Sequence, residues 1–110
     1  MKKTKINIEI TLDDQNVPEK INWEATDDPV QKNSESRSMS VSFWDHIDKN
    51  TLRIDLWTKE MEVDEMKRFA IDCMGGLAQT VLSATGDEFM SNEINSLCDK
   101  LVEHVKNEEK

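Results

Sequence analysis

Apolar and polar residues alternate along the first half of the chain and then change period. Residues 5–12 set Ile6, Ile8, Ile10 and Leu12 against Lys5, Asn7, Glu9 and Thr11, which predicts a half-buried strand. Asp13-Asp14-Gln15-Asn16 is turn chemistry, and Pro18 marks the exit. A second strand over 19–26 turns Ile21, Trp23 and Ala25 inward, and the short connection implies an antiparallel hairpin. Residues 27–36 lack apolar periodicity and read as a mobile surface loop. A third strand over 37–44 places Met39, Val41 and Phe43 on one face, with Ser38, Ser40, Ser42 and Trp44 on the other. A fourth, over 51–58, buries Leu52, Ile54 and Leu56 and exposes Arg53, Asp55 and Trp57.

Between Asn50 and Phe69 the repeat of two gives way to steps of three and four. Met66, Phe69, Ala70, Cys73, Leu77, Val81 and Ala84 predict a helix over 63–85, with Asp64 and Glu65 complementing its dipole. Gly86 is its expected stop and Asp87 the cap of a second helix over about 88–107, which carries Phe89, Met90, Ile94, Leu97, Leu101, Val102 and Val105. The expected fold is a single α+β domain spanning 1–110. In it, a four-stranded antiparallel meander sheet is followed by two helices packed on one face, a two-layer sandwich. If the helices turn back at Gly86, Cys73 lies thirteen residues before the turn and Cys98 twelve after it, at similar height. Two reduced thiols used as small hydrophobes fit that placement better than a redox pair. The same counting sets Gly75-Gly76 opposite Asn95-Ser96, and close helix approach is the expected reason for a glycine pair that costs about 1 kcal/mol per residue against alanine.

Composition narrows the function classes. At 110 residues the chain is long enough for one core without metal or disulfide staples. Acidic residues outnumber basic ones 23 to 14, for a formal charge of −9, so no nucleic-acid backbone or anionic membrane is an expected partner. The alternating N-terminus is no signal peptide, no run reaches membrane-spanning length, and the two cysteines lack metal-ligand spacing. A cytoplasmic location is expected. His46 beside Asp45 and Asp48 reads as a solvated loop histidine, and His104 as a residue suited to a helix C-terminus. The glycines are Gly75, Gly76 and Gly86, all in the helical half, so no phosphate loop or nucleophile elbow is present. No catalytic residue, cofactor site or metal site is assigned.

Trp44 and Trp57 stand apart. Both fall on the polar face, with Arg53 and Asp55 beside Trp57, and large aromatics with an arginine are what a protein-binding anchor needs. Cover by the loop 27–36 or a chain terminus, or a simple Arg53–indole stack, is the competing explanation. If both indoles are exposed, a homodimer through this face is the economical outcome. From another class, a small-molecule binder or enzyme with a pocket between sheet and helices near Trp23 and the cysteines would need convergent polar groups, and the inward positions are almost all apolar.

The segments NVPEKINWEATDD at 16–28 and FWDHIDKNTLRIDLWTKEMEVDEMKRF at 43–69 resemble the GldC family of gliding-motility-associated proteins of Bacteroidetes. NTLRIDLWTK and VDEMKRF are the most specific blocks, and the resemblance covers most of the chain. It implies a small cytoplasmic accessory protein of the gliding machinery, partnered by other proteins of that machinery, with no catalytic residue to carry over. The family commonly has proline before the VDEM block where this chain has Glu62, and the loop 27–38 and the tail diverge.

Overall fold

A computed structural model describes residues 1–26 and 34–108. The chain divides into two compact units, Met1–Met61 and Glu62–Lys110, the first built of strands and the second of helices.

In the first unit β1 (Ile6–Leu12) and β2 (Pro18–Ala25) pair antiparallel, with Ile6 opposite Ala25, Ile8 opposite Trp23 and Ile10 opposite Ile21. Directly opposed residues share a face, so the alternation read from sequence is realised. The hairpin turn is held by Asp13, whose carboxylate accepts from the amides of Gln15 (2.8 Å) and Val17 (3.0 Å), while Asn16 takes a left-handed φ of 62°. Lys59 forms an ion pair with the same carboxylate. The Lys59 hydrogen bond and the two amides hold the Asp13 acid at about 2, well under the ordinary aspartate range, and its partnership raises the Lys59 pKa.

The expected single four-stranded sheet is replaced by two sheets, of order β1-β2-β3 and β4-β5. β3 (Ser34–Ser36) lies in the stretch read as a loop, whose remaining residues 27–33 are outside the described residues. It pairs with β2, setting Ser36 opposite Ile21 and Ser34 opposite Trp23, and the Trp23 Nε1–H donates to Ser36 Oγ at 3.2 Å. β4 (Ser38–Asp45) begins after a single intervening residue, Arg37, where the chain bends. One stretch of extended chain, interrupted at Arg37, therefore serves two neighbours: Ser34–Ser36 bond β2, and Ser38–Asp45 bond β5 (Asn50–Trp57). The Thr58 amide donates to the Arg37 carbonyl at 2.8 Å and extends the second pairing up to the bend.

Ile21 is buried at 1% exposure, and the other strand residues assigned to the core are half-buried or exposed. Ile6, Ile8, Leu12 and Phe43 are exposed, as are Leu52 and Ile54 at 56% and 50%, whereas Leu56 is half-buried. Strand alternation fixes which side such residues point to. It says nothing of what lies over them.

In the second unit α1 (Val63–Thr85) and α2 (Glu88–Glu108) match the ranges the periodicity predicts. Gly86 ends α1 in the left-handed conformation, φ 73°, with its amide donating to the Leu82 carbonyl. Asp87 caps α2 by accepting from the Met90 amide at 3.0 Å. Along α2 the buried residues Ser91, Cys98 and Val105 recur every seven positions, the spacing of a two-helix seam. Ser91 Oγ donates to the Ala78 carbonyl at 2.9 Å, Cys98 Sγ lies 3.8 Å from the Ile71 carbonyl, and Lys67 Nζ reaches Glu108 at 2.8 Å. Lys67 thereby lowers the Glu108 pKa, and His104 Nε2 adds a 3.3 Å contact from the next turn back.

Cys98 Sγ lies against the Ile71 carbonyl, and neither Cys73 nor Cys98 is in a disulfide. Glycine 75 and 76 do not mark close approach, because a Cβ at either would meet nothing within 4 Å. Gly75→Ala and Gly76→Ala should each stabilise the helical unit by about 0.5–1 kcal/mol, the relief of glycine's backbone entropy. Ala78→Leu, at a site 1% exposed, should instead destabilise by about 1–3 kcal/mol through overpacking. Urea unfolding followed by circular dichroism reads all three.

Asp13 gives a pH signature. Its folded pKa is depressed, so its contribution is complete above the ordinary value of about 3.9 and is lost as pH falls toward 2. Carboxyl NMR titration should show the low midpoint, and Lys59→Met should move it upward.

Candidate interaction surface

β4 and β5 form a two-stranded ribbon closed by the connection Asp45–Asn50. In that connection the Asp48 amide donates to Asp45 Oδ2 at 2.7 Å and the Lys49 amide to the Asp45 carbonyl at 2.9 Å. Lys49 adopts φ 58°, which lets the chain reverse. The resulting register sets Ser38 opposite Trp57, Ser40 opposite Asp55, Ser42 opposite Arg53 and Trp44 opposite Thr51. These residues share one face. Met39–Leu56, Val41–Ile54 and Phe43–Leu52 share the other.

All four residues singled out from sequence, Trp44, Arg53, Asp55 and Trp57, therefore lie on the same side of the ribbon. Trp44 and Trp57 are 65% and 55% exposed. They do not adjoin: Trp57 stands opposite Ser38, six positions from Trp44 along β4, which is about 20 Å at strand rise. The space between the indoles holds an ordered polar centre. Arg53 Nη2 lies 3.0 Å from Asp55 Oδ2, and Ser40 Oγ donates to Asp55 Oδ1 at 2.6 Å. The Ser40 hydrogen bond, then the Arg53 charge, lowers the Asp55 pKa, so this carboxylate stays ionised across the neutral range.

Sequence reading missed Ser40 as a member of this centre, since alternating serines look like an ordinary solvated strand face. The cross-strand register is the signal that reveals it. Such a surface offers two wide apolar anchors and a fixed pair of opposite charges, which suits recognition of another protein surface.

His46 is exposed in the connection after β4. Among the described residues no group of three or more His, Cys, Asp or Glu side chains could hold a metal ion, and no helix is long and apolar enough to cross a membrane. A surface depression of about 540 Å³ lies on the first sheet, lined by Asn7, Ile8, Glu9, Asn22, Trp23 and Glu24.

A family model described as gliding motility-associated protein GldC-like matches residues 18–107. No curated protein and no solved structure matches the chain.

The exposure pattern predicts fluorescence. Trp23 is half-buried and hydrogen-bonded, so the Trp44→Phe/Trp57→Phe variant, which retains only Trp23, should be quenched by acrylamide distinctly less than the parent chain. Equal quenching would place the two ribbon indoles under cover.

Proposed function

The chain belongs to the GldC-like family of gliding motility-associated proteins, and from that membership we propose that it is a noncatalytic, cytoplasmic accessory protein of the bacterial gliding machinery. It works by binding a protein component of that machinery. The observation that carries this reading is the ribbon face, where Trp44 and Trp57 are both more than half exposed around the Arg53–Asp55–Ser40 centre. Exposed tryptophans are costly to leave in water and release large free energy when a partner covers them. Acidic composition and the absence of a membrane-spanning helix among the described residues support a soluble intracellular setting.

Native-state cross-linking and capture of the tagged chain from gliding cells tests this. A gliding component should be recovered with the parent protein, and Trp44→Ala/Trp57→Ala should cut its recovery by about tenfold or more while circular dichroism stays unchanged. Undiminished recovery with the double variant would overturn the assignment of the face. Unimpaired gliding in cells lacking the protein would overturn the role.

A further inference from the structure

β5 is an edge strand whose own sequence is complementary to a second copy of itself. The β4–β5 sheet has two strands, so among the described residues no strand pairs with the outer edge of β5. The direction of its backbone groups follows from the register. Thr58 donates to Arg37 at the pairing step just beyond Ser38–Trp57, which makes Thr58–Arg37 a hydrogen-bonded pair. Such pairs alternate along an antiparallel ladder, so Ile54, Leu56 and Leu52 turn their amides and carbonyls to β4. Thr51, Arg53, Asp55 and Trp57 turn theirs outward.

We propose that the chain forms a two-fold symmetric dimer by antiparallel pairing of β5 with β5 of a second copy, centred on Ile54. In that register the hydrogen-bonded pairs are Arg53 with Asp55 and Thr51 with Trp57, each formed twice, and every one uses outward-directed backbone groups. About eight backbone hydrogen bonds result. On one side of the joined sheet Ile54 meets its own copy and Leu52 meets Leu56. On the other, the Arg53–Asp55 pairs of the two copies form a ring of alternating charge.

The registers one step of two either side are rejected by charge. Centring on Arg53 sets arginine against arginine, and centring on Asp55 sets aspartate against aspartate, both directly opposed. A lone charge on an edge strand blocks such pairing; an opposite pair placed symmetrically about Ile54 selects a single alignment. The dimer carries a continuous sheet of order β4-β5-β5-β4 and leaves all four Trp44 and Trp57 side chains on one polar face. It does not rest on the motility reading, because it concerns the chain alone.

Sedimentation velocity of the full chain, from micromolar to near-millimolar concentration at an ionic strength of about 0.15 M, where charges are screened beyond about 8 Å, should show a reversible dimer. Asp55→Arg turns both symmetry-related attractions into repulsions and should weaken dimerisation by about tenfold or more. The double exchange R53D/D55R restores opposite charges across the two-fold and should recover dimerisation, although the Ser40 contact is equally lost in both variants. Circular dichroism and the urea midpoint establish that each variant folds. In a Cys73→Ser/Cys98→Ala background, Ile54→Cys should form an interchain disulfide under mild oxidation, since its two copies face each other at about 4.5 Å between Cα atoms. Leu52→Cys should not. A chain that stays monomeric, a dimer indifferent to Asp55→Arg, a charge exchange without recovery, or cross-linking at 52 equal to that at 54 would each overturn the pairing.

Discussion

A slip of one residue between β4 and β5 would carry Phe43, Val41 and Met39 to the side of Trp57 and Asp55 and undo both faces of the ribbon. The register is therefore the constraint on which the rest of the strand unit depends. It is set locally, by Asp45. That residue receives the Asp48 and Lys49 amides through its side chain and carbonyl, while Lys49 accepts a left-handed φ so the chain can return in step. Ser40 then meets Asp55, Arg53 reaches the same carboxylate, and the two indoles are held at the ends of the face rather than stacked.

The second constraint is the bend at Arg37. A strand crossing from one neighbour to another must break its ladder, and here a single residue between Ser36 and Ser38 suffices because Thr58 takes up the Arg37 carbonyl. Asp13 ties the β1–β2 turn to Lys59, just beyond the end of β5, so the chain leaving the second sheet is anchored to a turn of the first. In the helical unit the equivalent role falls to the seam of Ser91, Cys98 and Val105. Small residues there, Ala78 above all, let Ser91 bond a helix carbonyl from across the interface.

Much of this was legible in the residue order, and the exceptions have physical causes. Alternation located four of the strands and the 3.6-residue repeat both helices, because each pattern records one side of an element being apolar. Gly86 and Asp87 announced the helical turn through the left-handed cap and the carboxylate cap. β3 leaves no strand signal in the sequence, since Ser34-Glu35-Ser36 has no apolar residue to alternate; its strand character comes from pairing with the edge of β2. The break at Arg37 left no mark, as a bend between two serines changes no periodicity. A glycine pair suggested close packing where open space exists. For the candidate surface, strand parity placed Trp44, Arg53, Asp55 and Trp57 on one side, yet neither their spacing nor the part played by Ser40 could be had without the register.

The sequence alone determined what is periodic or local: the strand faces, the helix ranges, the caps, the acidic surface, and the blocks that carry the GldC-like family pattern. These depend on neighbours within a few residues, so they are written in the order of the chain. Tertiary structure decided what depends on partners distant in sequence. It chose which strand each edge bonds, split one expected sheet into two, set the indoles about 20 Å apart, and left Leu52 and Ile54 half exposed. Pairing energy is shared between segments, and neither segment specifies it by itself.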